Sequence, residues 1–194
     1  MPGSWDEKSV GFQLWINLSS KEKFCEPQHQ EIAKENIPMA MTKNVTVKVM
    51  AGESFGVKGC IKTRTPVMFL DVEIRPYAVF EQVIPKEWNA FCYVFKGEGL
   101  FGAGREKASR DSCVLLKRDE SEMFIVETDA ESVRFLLLAG KPLNEPVVGY
   151  GRFVLNTKEE LQKTLLDYNC GMNGFEAVLS WESKIKHLVK RNPN

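Results

Sequence analysis

Residues 68–74 have the sequence MFLDVEI, in which every second residue from Met68 to Ile74 is apolar and the residues between include Asp71 and Glu73. Strict alternation of this kind is typical of a β-strand that buries one face in a core. The same kind of pattern predicts strands at residues 45–51, 79–84, 90–95, 114–116, 123–127 and 133–139. Glycines at positions 97, 99, 102 and 104 supply tight turns near the middle of this series. The spacing favours an antiparallel sandwich or barrel over a parallel α/β sheet.

The segment before this series has a mixed character. Residues 11–18, GFQLWINL, alternate and predict one more strand with a single buried face. Residues 19–43 are polar and contain Pro27 and Pro38, which indicates a long ordered connection with room for one helical turn.

The C-terminal part of the chain changes from a strand period to a helical one. Thr157 and Glu160 have the spacing of a capping box and predict a helix that begins there. Gly171 and Gly174 interrupt the chain before a second amphipathic pattern, which predicts another helix over residues 175–185. The polar and basic end beyond residue 185 is expected to fray.

The composition restricts the classes of function. Lys and Arg total 26, as do Asp and Glu, so the net charge is zero and a phosphate-binding groove for nucleic acid is not expected. No apolar run approaches the roughly 20 residues of a membrane-spanning helix. The five cysteines are scattered without a CxxC pair, which argues against a zinc or thioredoxin-like site and predicts reduced thiols.

Candidate catalytic residues are scarce. The only histidines are His29 and His187, so the whole strand series lacks the imidazole ligands on which iron, copper and manganese sites depend. No GxSxG sequence is present, and residues 97–104 do not follow the GxGxxG spacing of a phosphate-binding loop. We therefore predict no catalytic, cofactor-binding or metal-binding residue in this chain.

A set of short motifs, dispersed over about 170 residues, resembles the pirin family in both sequence and order. The matching stretches are GFQLWINL at 11–18, EPQ at 26–28, IP at 37–38, TRTP at 63–66, AGKPL at 139–143, EPVV at 145–148, FVLNT at 153–157 and NGFE at 173–176. Pirins are bicupin proteins built from two β-barrels. The resemblance implies a mainly β chain with a cupin-type antiparallel barrel, or jelly roll, two C-terminal helices and a leftover strand of the first barrel.

The resemblance also implies how the chain is divided. Residues 1–43 correspond to a remnant of the N-terminal cupin barrel and the interdomain connection. Residues 44–156 correspond to the C-terminal cupin barrel, and residues 157–194 to the C-terminal helices and tail.

In pirins the N-terminal barrel binds iron through three histidines and a glutamate, and the last ligands lie in an H-x-E motif followed by Met-Pro. Met1 and Pro2 of this chain match that Met-Pro, so the chain is expected to start just after the final ligand. Met1 is then either an internal methionine of a longer reading frame or the true start of a short protein. None of the four ligands is carried over, and no cofactor is expected in this chain.

The second barrel is also expected to lack a metal. Tyr77 replaces the glycine of the Pro-Gly turn that precedes the H-x-H pair of metal-bearing cupins, and residues 83–85 (VIP) lie where that pair would fall. Residues 124–126 (FIV) take the place of a further histidine, so the resemblance implies a filled or dry barrel. For the remaining polar residues we predict solvated positions: Asp71, Glu73, the charged run at 117–120, His29 and His187.

Pirins are associated with two activities, transcription-factor binding in the nucleus and quercetin 2,3-dioxygenase activity at the metal of the N-terminal barrel. We therefore expect a non-catalytic binding or transcription-cofactor-type module located in the nucleus, the cytoplasm or both. Its partners would be transcription factors or other regulatory proteins, without direct contact to nucleic acid or membrane. The alternative is a fragment of a metal-dependent pirin dioxygenase. Residues 11–18 would expose an unpaired apolar strand and favour self-association.

Overall fold

The computed structural model describes residues 11–117 and 122–185. Within these ranges thirteen strands form, most of them where the sequence alternates. In chain order the strands are β1 (Met39–Met41), β2 (Val45–Ala51), β3 (Glu53–Ser54), β4 (Val57–Lys58), β5 (Val67–Ile74), β6 (Val79–Val83), β7 (Asn89–Phe101), β8 (Glu106–Ser109), β9 (Ser112–Leu116), β10 (Met123–Glu127), β11 (Val133–Gly140), β12 (Val148–Tyr150) and β13 (Phe153–Leu155). One α-helix, α1 (Lys158–Cys170), follows them.

Nine of these strands form one antiparallel sheet that curls into a barrel. Its order is β1-β2-β5-β11-β7-β10-β6, and β8 and β9 both pair with β7. Some neighbours in this sheet are far apart in sequence. Strand β5 pairs with β11, and β11 pairs in turn with β7. The predicted antiparallel barrel is therefore confirmed, and its closure depends on long-range pairing that connects the first strands of the series with the last.

The chain separates into two compact units. One consists of residues 25–144 and contains the barrel, and the other consists of residues 1–24 together with residues 145–194. The barrel unit thus includes residues 25–43, which the sequence analysis assigned to the segment before the barrel. Within the described ranges, no helix combines the length and apolar character that crossing a bilayer requires.

The core of the barrel is formed by the inward-facing residues of the alternating strands. Fully buried side chains come from six strands, and they include Val47, Val49, Leu70, Val72, Phe80, Val94, Val126, Phe135 and Leu137. Each such side chain contributes about 1.5–3 kcal/mol when it leaves water, relative to an exposed position. The rings of Phe80 and Phe101 both pack edge-to-face on Phe135, at centroid distances of 6.1 and 5.3 Å. These aromatic contacts fill the middle of the barrel.

Strand β7 is longer than predicted because it bends and continues. Its first part pairs with β11 and β9, and its last four residues pair with β8. Gly97 lies at the bend with φ +69°, and a Cβ atom there would meet the carbonyl oxygen of Ser132 at 1.8 Å. Only glycine permits this backbone conformation together with so close an approach of the neighbouring strand.

The predicted strand at residues 11–18 is wrong. These residues are irregular, and Trp15 is 66% exposed. A segment with alternating apolar residues forms a strand only when another strand pairs with it. None of the described strands pairs with residues 11–18. The segment is instead held at its end, where the backbone N–H of Ser20 donates to Oε2 of Glu145 at 2.7 Å.

One of the two predicted helices forms. Helix α1 begins with the predicted capping box, since Oγ1 of Thr157 accepts from the Glu160 backbone N–H at 3.1 Å and Oε2 of Glu160 accepts from the Thr157 N–H at 3.0 Å. The second helix is wrong over its described part, where only a short 3₁₀ turn at Glu176–Leu179 is present. Leu179 and Trp181 are mostly exposed, so an amphipathic helix has no surface on which to bury its apolar face. The predicted fraying beyond residue 185 lies outside the described residues.

Candidate functional site

A pocket of about 390 Å³ opens at one end of the barrel and is the candidate site. We call it the barrel mouth. Its wall consists of apolar side chains: Ile84, Trp88, Ala90, Phe101, Val114, Leu116, Met123 and Phe124. Most of these residues extend the barrel core, with Trp88, Ala90, Val114 and Leu116 partly buried against it. The barrel mouth is therefore the open end of the hydrophobic core.

Strand pairing determines where these side chains lie. Ala90 pairs with Leu116 across β7 and β9, which brings together residues 26 positions apart in sequence. Phe101 pairs with Val126 on β10, and its ring lies 6.4 Å from the ring of Phe124. Because these positions belong to hydrogen-bonded strands, the aromatic wall is held by the sheet rather than by a loop.

The rim of the barrel mouth is polar. Lys86, Glu106 and Lys117 line it, and all three side chains are exposed. Lys86 belongs to the turn before β7, which is closed by a hydrogen bond from the Trp88 N–H to the Pro85 carbonyl at 2.9 Å. The site thus combines apolar walls with charged groups at its opening, a combination typical of small-molecule pockets.

The structure also places two of the residues that the sequence analysis compared with metal-ligand positions. Ile84 and Phe124 are both buried and line the barrel mouth. The interior beneath them is filled by the aromatic core, whereas the mouth itself stays open. The prediction of a filled or dry barrel stays a prediction, and Ala90 and Val114 are among the residues that line the opening.

Iron, the metal that the resemblance implies for the family, does not fit these residues. Among residues 11–117 and 122–185, no three His, Cys, Asp or Glu side chains lie together as a metal-binding group. Of the described residues that line the barrel mouth, Glu106 alone carries a carboxylate, and iron sites need several oxygen or nitrogen ligands at once. No metal-dependent step is derived for this barrel.

Tyr77, which the sequence analysis compared with a turn glycine, adopts a backbone conformation that favours glycine. Its φ is +56°, a left-handed conformation that is rare for an aromatic residue, and its side chain is 77% exposed. The turn is held by neighbours: the Tyr77 N–H donates to the Asp129 carbonyl at 2.8 Å, and Oγ1 of Thr128 donates to the Arg75 carbonyl at 2.6 Å. The backbone of Tyr77 is therefore strained, and its exposed side chain makes no buried contact that would offset this strain.

The structure corrects the prediction that Asp71 lies in a solvated position. Its carboxylate accepts two hydrogen bonds from Arg134, from Nε at 2.8 Å and from Nη2 at 2.6 Å, and lies 3.6 Å from Nζ of Lys48. These hydrogen bonds raise the pKa of the Arg134 guanidinium further above its usual value. The side chain of Asp71 is 13% exposed, because the flanking strands β2 and β11 bring cations to it. Glu73 is exposed, as predicted.

The other singled-out residues do not form a site. His29 is exposed, as predicted, and has no neighbouring metal-binding group among the described residues. His187 and most of the charged run, residues 118–120, lie outside the described residues. All five cysteines are free, and burial raises the pKa of the Cys92 thiol well above its usual value.

A comparison with protein families tests the resemblance directly. The model of the Pirin C-terminal cupin domain matches residues 69–174, which is more than half of the chain. The chain belongs to the pirin family. The predicted family membership is thereby confirmed, and the pirin match spans the greater part of the barrel together with helix α1.

Named relatives agree with this membership. The pirin-family chain is 45% identical over 175 residues to the pirin-like protein of Solanum lycopersicum, covering 90% of this chain and 60% of that protein. It is 41% identical over 187 residues to the pirin of Homo sapiens, covering 95% of this chain and 64% of that protein. The chain spans about three fifths of the length of these relatives.

A solved structure supports the same fold. Quercetin 2,3-dioxygenase from Acinetobacter baumannii is 30% identical, with a TM-score of 0.73, and the match covers 81% of the pirin-family chain and 54% of that protein. Together with the family match, this likeness confirms a mainly β, cupin-type architecture. The structure departs from the predicted version of it in having one main helix and an irregular segment at residues 11–18.

Outside the barrel unit, the pirin-family chain has a concentration of exposed apolar side chains. Among the described residues, twelve of the twenty exposed large apolar side chains belong to the smaller unit. These are Phe12, Trp15, Ile16, Phe24, Val147, Tyr150, Leu166, Met172, Val178, Leu179, Trp181 and Ile185. We call this set the exposed apolar residues of the smaller unit. In the same unit, Nδ2 of Asn156 donates to Oε2 of Glu145 and to the Pro146 carbonyl, each at 3.0 Å, and so holds residues 145–146 next to the start of helix α1.

Proposed function

We infer that this pirin-family chain is a non-catalytic binding module that acts by contacting regulatory proteins, with transcription factors as the expected class. The observation that carries the proposal is the concentration of exposed apolar side chains in the smaller unit, including Trp15 and Trp181. Tryptophan, phenylalanine and methionine are enriched in protein interfaces, where large apolar side chains supply most of the binding free energy. The proposed location is the nucleus, the cytoplasm or both.

Two further observations support a protein partner. The net charge of zero gives no general attraction to the phosphates of a nucleic acid, so a direct DNA or RNA contact is not part of the proposal. The resemblance compares Ile84 and Phe124, two apolar residues of the barrel mouth, with the positions of cupin metal ligands, which supports binding rather than metal-dependent catalysis.

A second copy of this chain is the simplest alternative occupant of the same surface. Residues 11–18 expose Phe12, Trp15 and Ile16, although they do not form the predicted strand. Apolar side chains that face water favour association whether or not the backbone is extended. Self-association through this segment is therefore the alternative that has to be distinguished from binding to a regulatory protein.

Site-specific photo-crosslinking in cells of the source organism tests the proposal. Trp15 and Trp181 are each replaced by p-benzoylphenylalanine, and Leu115 serves as the matched control because it is equally exposed but belongs to the barrel. We expect cross-links from positions 15 and 181 to one regulatory protein, identified by mass spectrometry, and none to that protein from position 115. Equal cross-linking from all three positions, or none, would refute the proposal.

Sedimentation velocity distinguishes a second copy from a different partner. If the partner is another protein, the purified chain sediments as a monomer over a hundredfold range of concentration. A dimer that disappears in Trp15→Ser assigns the surface to self-association and contradicts the regulatory-protein proposal.

The second candidate function is dioxygenase activity on quercetin as part of a longer, metal-dependent protein. The likeness to quercetin 2,3-dioxygenase at 30% identity favours it. Oxygen consumption by the purified chain, mixed with Fe(II) and quercetin, tests this candidate. Under the binding-module proposal the rate equals that of Fe(II) and quercetin alone, and turnover above this background would favour the dioxygenase.

A further inference from the structure

We propose that strand β6 binds an extended peptide segment of another protein, in which a lysine or arginine lies between two apolar residues. The segment would pair with the backbone groups of Val79, Glu81 and Val83, which we call the open edge of β6. This site goes beyond the protein-binding function, because β6 belongs to the barrel unit and the exposed apolar residues belong to the smaller unit.

The hydrogen bonds at the two ends of β6 determine which of its backbone groups are paired. Among the described strands, β6 pairs with β10 alone and ends the path of the nine-stranded sheet. At one end the Ile84 N–H donates to the Glu122 carbonyl at 2.7 Å, and at the other the Thr128 N–H donates to the Ala78 carbonyl at 2.9 Å. In an antiparallel pair, residues that exchange such bonds alternate along the strand. The even-numbered residues of β6 therefore bond to β10, and its odd-numbered residues direct their N–H and C=O groups to the opposite side.

The open edge is unpaired along most of its length. Within the described part of the chain, its one satisfied group is the Val83 carbonyl, which accepts from Nε2 of Gln82 at 3.1 Å. The same amide nitrogen donates to the Glu53 carbonyl at 3.1 Å, so the start of β3 borders the edge at its Val83 end. Backbone groups without a protein partner need water, and the side chains of Val79 and Val83 are 53% and 54% exposed. An added strand can therefore reach these groups.

The side chains of the open edge determine which peptide fits. Alternate residues of a strand share a face, so Val79 and Val83 lie on either side of Glu81 on the exposed face of β6. Glu81 is exposed and takes part in none of the ion pairs formed among the described residues. In an added antiparallel strand, the residues directly opposite would be apolar at both valines and cationic at Glu81.

The same charge disfavours a second copy of this chain as the occupant. The antiparallel register that pairs all three residues of two copies places Glu81 of one copy opposite Glu81 of the other. Like charges directly opposite each other destabilise a strand pair, and charged residues commonly prevent edge strands from pairing with their own copies. The occupant is therefore a different protein with the complementary charge. Its main-chain hydrogen bonds would supply affinity and its alternate side chains specificity.

Two peptides of opposite charge test this assignment. Acetyl-SVTKTVS-amide and acetyl-SVTETVS-amide each present two valines and one central charge on the same face. Both are titrated into the full isotope-labelled chain and followed by nuclear magnetic resonance. We expect the lysine peptide to bind about three- to tenfold more tightly than the glutamate peptide. It should also slow the hydrogen exchange of the Val79, Glu81 and Val83 amides, which exchange rapidly in the free protein.

Backbone methylation of the lysine peptide tests whether strand pairing causes the binding. With the lysine opposite Glu81, the backbone N–H of that lysine donates to the Glu81 carbonyl, whereas the N–H of the following threonine points away. Methylating the lysine backbone nitrogen should weaken binding about fivefold or more, and methylating the threonine nitrogen should weaken it less.

A charge-reversal variant locates the binding. Glu81→Lys should reverse the preference, so that the glutamate peptide binds more tightly than the lysine peptide by a similar factor. Glu35→Lys is the matched control, because Glu35 is an exposed glutamate outside the sheet and its replacement changes the net charge equally. It should preserve the preference for the lysine peptide. Both changes affect exposed side chains, and a circular-dichroism melt verifies folding.

Several results would overturn the proposal. These are no binding of either peptide up to millimolar concentration, a preference that Glu81→Lys does not reverse, and equal weakening by the two backbone methylations. Exchange of the three amides that slows with rising protein concentration in the absence of peptide would assign the open edge to a second copy and contradict the proposal. The test is independent of cross-linking at positions 15 and 181, so the proposal and the binding function can fail separately.

Discussion

Replacing Gly97 by alanine tests whether the bend of β7 depends on glycine. Gly97 has φ +69°, and an added Cβ would lie 1.8 Å from the carbonyl oxygen of Ser132. Gly102 is the matched control in the same hairpin, with φ +70° and no atom within 4 Å of the added Cβ. Both substitutions therefore impose the same backbone strain, and only Gly97→Ala adds a collision with the backbone of the neighbouring chain segment.

The expected magnitudes follow from these two contributions. A non-glycine residue in the left-handed region costs about 1–2 kcal/mol, and alanine recovers about 0.4–1 kcal/mol by restricting the unfolded chain. Gly102→Ala should therefore lose roughly 1 kcal/mol or less of unfolding free energy. At position 97 the Cβ would be about 1.6 Å closer than ordinary van der Waals contact, which begins at 3.4 Å. Relieving that overlap separates β7 from the Ser132 backbone, so the loss should reach about 3 kcal/mol or more.

Urea unfolding of the three proteins, followed by circular dichroism, measures the difference. Gly97→Ala should lose at least about 2 kcal/mol more than Gly102→Ala, or fail to accumulate as a folded protein while Gly102→Ala does. Equal losses for the two variants would refute the reasoning, because they would show that the approach to Ser132 carries no cost beyond backbone strain.

Three further predictions concern single residues. Tyr77→Gly should raise the free energy of unfolding by about 0.5–1 kcal/mol, measured by urea unfolding, because glycine relieves the left-handed strain and the exposed tyrosine ring makes few contacts. Thr157→Ala should remove the capping box and lower the stability of helix α1 by about 1 kcal/mol, measured by amide hydrogen exchange, whereas Thr157→Ser should retain most of it. Iodoacetamide at neutral pH should label the exposed Cys113 in the native protein and label Cys92 only after denaturation, since burial blocks access and raises the pKa of that thiol.

Opposite results would correct specific parts of the structure. A loss of stability in Tyr77→Gly would mean that the tyrosine ring makes stabilising contacts despite its high exposure. Unchanged hydrogen exchange in Thr157→Ala would show that the helix begins elsewhere. Rapid labelling of native Cys92 would contradict its position in the core.

The strands were the most predictable part of the fold. The predicted bounds agree with the structure for β2 and β10, because each strand buries one face and the alternation in sequence records that burial. Strand β7 extends beyond its prediction because Gly97 bends the strand instead of ending it. Residues 11–18 alternate equally well and form no strand, since pairing with another strand is a property of the whole chain.

The barrel mouth could be predicted only in part. The resemblance compared the stretches that contain Ile84 and Phe124 with ligand positions of metal-bearing cupins, and both residues line the pocket. Leu116 was missed, because it lies opposite Ala90 only through the register of β9 on β7. Trp88 was missed as well, since it belongs to the turn before β7 and not to a strand. The apolar residues next to these lining residues in sequence indicate burial. They do not indicate that the barrel has an open pocket. The pairing of Asp71 with Arg134 was missed for the same reason, since 63 residues separate them.

Iron titration of the purified chain, followed by native mass spectrometry, tests the central claim that this pirin-family chain is a binding module without a metal centre. We predict that the chain keeps its apo mass at equimolar Fe(II) and acquires only weak, unsaturating adducts at higher concentration. One tightly held iron per chain at equimolar Fe(II) would contradict the account.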